Sequence, residues 1–151
     1  MRVVQEVSVL SGSIKRREAR ELAFQLIFER TFHDIEIEDL LELALQARDI
    51  EPDEYVISAL RGIEEHQSEI DGIIEKFSRA RAISRLSHVV LAVLRLAIYE
   101  IKFVENIDAP ISINEAVELT KIYGGKDESG FVNGVLGNYV RSLDESGEAA
   151  Q

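Results

Sequence analysis

Cysteine is absent from this 151-residue sequence, and proline occurs only twice. Without cysteine, neither disulfides nor thiolate metal sites can form, which is compatible with a reducing cytoplasm. Pro52 and Pro110 both lie where helix-like patterns are interrupted, and strand-like alternation is nearly absent beyond the first ten residues. The sequence therefore predicts an all-α fold, and its length is typical of one domain with a single core.

Long hydrophobic runs are also missing. The longest run in a helical segment, residues 89–94, ends at Arg95 and is far shorter than the roughly 20 residues that span a bilayer. Gln5 and Glu6 interrupt the apolar residues near the start, so we expect no signal peptide. A cytoplasmic protein without a membrane segment is the expectation.

Enzymatic signatures are scarce. The histidines His33, His66 and His88 stand alone, with no second histidine at metal-ligand spacing. The segment YGGKDESG lacks the first glycine of a phosphate-binding loop and the Ser or Thr after its lysine. It is therefore interpreted as a helix stop and turn. We predict no catalytic residue, no metal and no cofactor.

Positive charge is in the minority, and the formal net charge is -11. The segment from Glu29 to Glu75 contains fifteen acidic residues and three arginines, so it should repel phosphates. Two basic islands interrupt the acidic chain. Residues 15–20 contain four basic residues and one acid, and residues 79–99 contain four arginines and no acid. The arginines at 79, 81 and 85 could serve either RNA binding or structure.

Apolar residues at three-to-four-residue spacing predict six helices. Their expected ranges are 13–30, 37–47, 52–77, 86–104, 112–123 and 128–143. The third helix is long, and Gly62 and Gly72 are expected to bend it. Ser112 and Glu115 have capping-box spacing at the start of the fifth helix.

Three glycines mark one strip of the last predicted helix, opposite its apolar face. Gly130, Gly134 and Gly137 each cost about 1 kcal/mol relative to alanine in a helix interior. Either another chain or a ligand approaches this bare backbone closely, or the helix tolerates small exposed residues, which is the more common case.

The first helix carries two arginines that lead into two aromatic residues at helical spacing. Arg17, Arg20, Phe24 and Phe28 form one stripe, well separated from the core stripe. Arginine can bind phosphate and stack on bases, and an exposed aromatic ring can stack on an unpaired base. The stripe therefore indicates single-stranded RNA. Equally, the phenylalanines could widen the core stripe and leave the arginines as ordinary surface charges.

Arg95 lies in a helix that is apolar around most of its circumference. Because a buried charge generally requires a partner, we expect a structural ion pair from Arg95 to Glu115 or Glu118 on the following helix. The alternative is that Arg95 meets a protein partner.

Four segments resemble, in order and spacing, the hallmarks of the NusB family of bacterial transcription antitermination factors. They are KRREARELAFQLIFE, VLRLAIYEI, ISINEAVELTKIYGG and FVNGVL. The pairing of INEAVEL with FVNGVL is the most specific signal. The resemblance covers residues 14–143 and implies an all-α domain of about six to seven helices in two packed subdomains. We expect residues 1–13 to be a disordered extension and residues 144–151 a flexible tail.

The resemblance implies an RNA-binding role without catalysis. The family pairs with NusE, a small-subunit ribosomal protein, and binds the single-stranded boxA element of nascent ribosomal RNA. The assembly then joins other Nus factors on RNA polymerase and suppresses premature termination. Whether the free protein forms a homodimer stays open.

The resemblance also assigns RNA contacts to two segments. The family's arginine-rich motif falls on Arg16, Arg17 and Arg20, its aromatic contact on Phe28, and its second contact patch on Asp127 and Phe131. Two positions depart from the family. Glu18 and Gly130 stand where basic residues are common, which implies weaker phosphate affinity.

Two other functions stay open from the sequence. A similar domain precedes ribosomal RNA cytosine methyltransferases, so the chain could be an enzyme accessory domain if it were a fragment. A helical adaptor that binds only proteins is the third reading, and it predicts no salt-dependent RNA binding.

Overall fold

The computed structural model describes residues 12–48, 53–79 and 81–146. Within these residues the chain forms seven α-helices and one short 3-10 turn at Ile83–Arg85, and it contains no strand. The helices are α1 Gly12–Arg30, α2 Ile37–Arg48, α3 Glu54–Glu65, α4 Gln67–Phe77, α5 His88–Phe103, α6 Ala109–Tyr123 and α7 Lys126–Ser146. The all-α prediction is confirmed.

Local sequence signals explain several helix ends. Asp53 and Ser87 precede α3 and α5, and their side chains accept hydrogen bonds from the backbone N–H groups of Val56 and Val90, each at 3.1 Å. Gly124 ends α6, and its N–H donates to the carbonyl of Thr120 at 2.7 Å. The stop predicted at the paired glycines is therefore confirmed.

Helix α5 is the central helix of the fold. It packs against α1, α3, α4, α6 and α7, as expected for a helix that is apolar on nearly all sides. Its buried residues are Val90, Ala92, Val93, Leu94, Leu96, Ala97, Ile98, Tyr99 and Glu100. The central helix therefore links α1 and α3 to α4, α6 and α7.

Two predicted boundaries are wrong. The long third helix is two helices, α3 and α4, which meet at His66 rather than bending at Gly62 or Gly72. Helix α6 begins at Ala109 after Asp108, so Ser112 lies inside the helix and is buried. Its hydroxyl donates to a carboxylate of α5 and does not form the predicted capping box.

Some predictions concern residues beyond the described ranges. Residues 1–11 of the expected extension and 147–151 of the expected tail lie outside the structure as described. Gly12 and Ser13 belong to α1, and residues 144–146 continue α7. In the described residues, no helix is both long enough and apolar enough to cross a membrane.

The glycine strip of α7 faces solvent, as its spacing indicates. A Cβ atom placed on Gly130 or Gly134 would meet no heavy atom within 4 Å, and one placed on Gly137 would meet only Arg141 Nη1 at 3.7 Å. No helix of the described structure packs closely on this strip, so packing between helices does not require these glycines.

Gly62 of α3, in contrast, is required by a close contact with α5. A Cβ atom at Gly62 would overlap Cε1 of the Tyr99 ring and would lie 3.1 and 3.2 Å from its Cζ and Cδ1 atoms. Tyr99 is buried and packs against Phe103, with ring centroids 5.9 Å apart. The absent side chain allows α3 and α5 to approach.

We predict opposite effects of alanine at the two glycines of this region. Gly62→Ala should lower the free energy of unfolding by about 1–3 kcal/mol, because the Tyr99 ring must shift in a packed core. Gly72→Ala has open space around it and should raise the free energy of unfolding by about 0.5–1 kcal/mol. Urea denaturation of both variants measures the difference, and a Gly62→Ala protein as stable as Gly72→Ala would contradict the proposed contact.

Candidate nucleic-acid interface

Arg20 is buried in the protein rather than exposed on α1. It is 5% exposed, and its Nε donates to Glu100 Oε2 at 2.7 Å while Nη1 donates to Glu115 Oε1 at 3.0 Å. Burial alone would lower the pKa of Arg20, but the hydrogen bond to Glu100 and the negative charge of that residue raise it above its ordinary value. The guanidinium is a fixed positive charge that joins α1 to α5 and α6.

Glu100 is a buried carboxylate that receives donors from three neighbouring helices. Besides Arg20 of α1, the Tyr55 hydroxyl of α3 donates to Oε2. Ser112 of α6 donates through Oγ to Oε1 at 2.7 Å. A buried charge is tolerated when its hydrogen-bonding capacity is filled in this way, and the network holds α1, α3 and α6 around α5.

Arg17 lies at the outer edge of the same network. Its Nε and Nη2 donate to Glu115 Oε1 and Oε2, each at 3.1 Å, and its side chain is 72% exposed. The hydrogen bond and the charge of Glu115 raise the pKa of Arg17. Arginine carries five N–H donors, and those not bound to Glu115 are open to solvent. Glu115 therefore orients Arg17 without saturating it.

Arg16 is positioned by an aromatic ring. Its guanidinium carbon lies 4.9 Å from the centroid of the Tyr55 ring, a cation–π distance. Arg16 is exposed, so the ring positions its guanidinium without closing it off from solvent. Arg16 and Arg17 thus form an adjacent pair of oriented, accessible guanidinium groups.

The predicted exposed stripe on α1 is wrong for two of its four members. Phe24 is 1% exposed and belongs to the hydrophobic core, and Arg20 is buried in ion pairs. Neither side chain offers surface to RNA. The reason is that α1 packs against both α3 and α5, so its covered face is wider than its own apolar periodicity indicates.

Phe28 lies within a row of aromatic rings. It stacks near Phe24 with centroids 5.9 Å apart, and Phe32 contacts it edge-on at 5.1 Å. Phe28 is half-buried, whereas Phe32 is 53% exposed. The Phe32 ring stacks on His88, with ring centroids 3.9 Å apart. The most accessible ring of the row is therefore Phe32, which our sequence interpretation missed although it follows Phe28 at helical spacing.

The second predicted patch is at the start of α7. Asp127 is exposed and Phe131, one turn later, is half-buried. The guanidinium carbon of Arg81 lies 4.5 Å from the Phe131 ring centroid. Tyr123, at the end of α6 and four residues before Asp127, donates to Glu21 of α1 and packs against Phe24, with ring centroids 4.9 Å apart.

The predicted ion pair of Arg95 is wrong in its partner. Arg95 Nε and Nη2 donate to Asp71 Oδ1 and Oδ2, each at 2.9 Å, so the side chain points towards α4 and not towards α6. Glu115 pairs with Arg17 and Arg20, and Glu118 pairs with Lys121 at 3.6 Å. Periodicity placed Arg95 on a polar strip but did not tell which neighbour covers that strip.

The described residues contain no group of three or more His, Cys, Asp or Glu side chains that could hold a metal ion. The carboxylates at the interface, Glu100 and Glu115, are engaged with arginine, tyrosine and serine donors. The arrangement can bind phosphate and stack on planar groups.

We expect removal of Arg20 to destabilise the protein far more than removal of Arg17. Arg20→Ala leaves Glu100 buried without a cation and Glu115 paired only with the exposed Arg17, and it should lower the free energy of unfolding by about 3–5 kcal/mol. Arg17→Ala removes an exposed side chain, so the free energy of unfolding should change little. Denaturant unfolding of both variants provides the comparison. Equal losses in the free energy of unfolding would show that the ion pairs of Arg20 are not central to stability.

Tyr55 should make stability decline at alkaline pH. Burial and the neighbouring Glu100 raise the pKa of Tyr55 above its ordinary value of 10.0. The folded protein therefore keeps a proton that the unfolded chain releases above about pH 10, and stability should fall by about 1.4 kcal/mol per pH unit from there. In Tyr55→Phe this part of the decline should vanish when unfolding is measured between about pH 8 and about pH 11. An unchanged slope would place the cause elsewhere.

Comparison with known proteins connects this geometry to a family. The sequence profile of the NusB family matches residues 17–141. The chain is 41% identical over 128 residues to the transcription antitermination protein NusB of Acetivibrio thermocellus, covering 83% of this chain and 88% of that protein. It is 40% identical to the protein of the same name from Clostridium acetobutylicum, covering 87% of this chain and 99% of that one.

Solved structures show the same fold. T. maritima NusB superposes with a TM-score of 0.74 at 34% identity, over 83% of this chain and 90% of that chain. A chain from the crystal structure of antitermination factors NusB and NusE in complex with dsRNA gives a TM-score of 0.76 at 28% identity, over 84% and 96% of the two chains. From its sequence match and its fold together, the chain belongs to the NusB family.

Proposed function

We propose that this protein is a transcription antitermination factor that binds the boxA element of ribosomal RNA transcripts together with NusE. Relatives that are about 40% identical over the aligned residues carry the antitermination name, and one structural neighbour was solved with NusE and dsRNA. The bound complex joins other Nus factors on RNA polymerase and promotes read-through of terminators. This role requires binding and assembly but no chemical step.

The observation that carries the proposal is the oriented pair Arg16 and Arg17. Tyr55 and Glu115 hold their guanidinium groups, yet both side chains stay accessible. Guanidinium groups bind phosphate through a planar fork of donors. Because both groups are already positioned, less conformational entropy is lost when RNA binds.

Arg20 acts in this interface as a positioning residue. It binds Glu115 Oε1, the same oxygen that accepts from Arg17 Nε. Arg20 therefore fixes the carboxylate that orients Arg17, while its own guanidinium stays inside. The family's arginine-rich motif in this chain consists of two RNA-facing arginines and one internal arginine.

Phe28, Asp127 and Phe131 complete the proposed RNA surface. Phe28 and Phe131 are half-buried and keep part of each ring accessible for stacking, and Asp127 is exposed at the start of α7. A carboxylate accepts hydrogen bonds from the amino groups of bases, so Asp127 suits a base edge better than a phosphate.

The acidic segment from Glu29 to Glu75 is suited to binding a basic partner protein rather than RNA. Its described carboxylates are largely exposed, including Glu38, Asp39 and Glu42. Negative potential of this kind attracts a basic protein and repels phosphate. NusE is proposed as that basic protein, and its approach would be steered away from the RNA-facing arginines.

The accessory-domain alternative is less well supported than the antitermination role. The matched relatives are themselves named as antitermination proteins, and the match spans 88% and 99% of their lengths. The protein-only adaptor differs from the proposal in one measurable respect, because it predicts no dependence of binding on Arg16 or Arg17.

RNA binding should depend on the two outer arginines. We expect a labelled boxA RNA to bind this protein with NusE more tightly than either protein alone, as measured by fluorescence anisotropy. In an Arg16→Ala, Arg17→Ala double variant, affinity should fall at least about tenfold, because two phosphate-binding groups are removed. The log–log salt slope should decrease by about 0.7 for each phosphate that the variant no longer binds.

Arg141→Ala is the control, because Arg141 is exposed near the end of α7 and hydrogen-bonds Asn138, outside both the acidic segment and the proposed RNA surface. It removes one positive charge and should leave binding unchanged. Equal effects of Arg141→Ala and of the single variants Arg16→Ala and Arg17→Ala would mean that only net charge matters. Folded wild-type protein that fails to bind boxA RNA with NusE present would sink the proposal in favour of the protein-only adaptor.

A further inference from the structure

Arg81 sits over the ring of Phe131 and connects the loop after α4 to the start of α7. Its guanidinium carbon is 4.5 Å from the ring centroid. The loop is fixed by buried Ser78, whose carbonyl accepts from Arg81 N at 2.8 Å and whose hydroxyl donates to Arg81 O at 3.1 Å. The backbone of Arg81 is thus anchored at both its N–H and its carbonyl group.

The positive charge of Arg81 has no carboxylate partner among the described residues. Arg79, Arg81 and Arg85 are exposed, and none of them has an ion-pair partner among the carboxylates of the described residues. Most other arginines of the described chain do pair: Arg17, Arg20, Arg30, Arg61 and Arg95. Three guanidinium groups without carboxylate partners, all between α4 and α5 of an acidic protein, form a local positive surface.

The surface beside Phe131 is open to a ligand. Gly130 precedes it in α7, and a Cβ atom at Gly130 would meet nothing within 4 Å. Arg81 contacts the Phe131 ring within cation–π range, and Arg81 is itself exposed. Two planar groups are therefore accessible at this site. They are the guanidinium of Arg81 and the part of the Phe131 ring that the guanidinium leaves uncovered.

We propose that Arg81 and Phe131 form one composite stacking platform for an unpaired RNA base, with Arg79 and Arg85 binding the adjoining phosphates. Guanidinium planes and aromatic rings both stack on bases in single-stranded RNA recognition. Phe131 holds the guanidinium, and the base lies on the guanidinium and the uncovered part of the ring. The inference rests on the proposed function and extends its RNA surface to Arg79, Arg81 and Arg85.

Stacking and charge predict different results for substitutions of Arg81. Lysine keeps the positive charge but has a compact ammonium group without a plane. Arg81→Lys and Arg81→Ala should therefore both weaken binding of boxA RNA to the complex with NusE, by about tenfold. Neither should greatly alter the salt slope. Arg79→Ala and Arg85→Ala should instead reduce the log–log salt slope by about 0.7 each.

A fluorescent base reports the stack directly. In boxA RNAs that carry 2-aminopurine at one position each, stacking on the platform should quench the fluorescence of one position in the wild-type complex. That quenching should disappear with Arg81→Lys. Unfolding of each variant by urea shows whether the protein stays folded, and Arg141→Ala again controls for loss of one charge.

The outcomes separate this inference from the function on which it rests. If Arg17→Ala weakens RNA binding while folded Arg81→Ala binds as well as Arg141→Ala does, the platform is wrong and the antitermination role stands. Wild-type affinity in Arg81→Lys would reduce Arg81 to a phosphate contact and overturn the stacking claim. If the wild-type complex binds no RNA, both proposals fall.

Discussion

The buried ion pair between Arg20 and Glu100 is the interaction on which the rest of the structure depends. Removing two charges from water is expensive, and the attraction between them compensates only when the remaining donors and acceptors are satisfied. Here they are: Tyr55 and Ser112 also donate to Glu100, and Glu115 accepts from Arg20. Hydrophobic burial brings the helices together, but it tolerates many relative orientations. The directional contacts of this network fit one arrangement of α1, α3, α5 and α6, so they specify the geometry that apolar packing alone would leave loose.

The proposed RNA surface is the outer layer of the same network. Tyr55 donates its hydroxyl to Glu100 inside the protein and presents its ring to Arg16 at the surface. Glu115 likewise binds Arg20 on its inner side and Arg17 on its outer side. Each surface arginine is therefore oriented by a residue that the core has already fixed. Under the proposed function, a core substitution that moves Tyr55 or Glu115 would therefore change the RNA affinity, even where every residue that contacts RNA is unchanged.

The sequence predicted the ranges of the helices better than it predicted which helices pack against one another. Apolar spacing located α1, α2, α5 and α7 closely, because periodicity is a property of one helix. Which side of a helix is covered depends on the other helices, and this is where Arg20, Phe24 and Arg95 were misplaced. The division at His66 was also missed: glycine was expected to interrupt the helix, but Gly62 serves close packing against Tyr99 instead. The family resemblance predicted which segment of α1 faces RNA, whereas the division of its arginines into one buried and two exposed residues required the three-dimensional contacts.

Under the proposed function, the carboxylates around Arg17 give a physical reason why RNA binding would need a basic partner protein. Arg17 donates hydrogen bonds to Glu115, and Glu118 lies one turn further along α6. A phosphate that approaches Arg17 therefore meets a positive charge that is already partly compensated, beside a second negative charge. The same Glu115 that orients Arg17 also weakens its pull on RNA, so orientation is gained at the expense of affinity. A protein with a net charge of -11 adds a repulsive background to this local competition, at least within a Debye length of about 8–10 Å. Under the proposed function, the basic partner offsets both effects: it masks the acidic segment and supplies further positive charge next to the RNA. The oriented arginines then contribute register and specificity, while the partner contributes much of the electrostatic attraction.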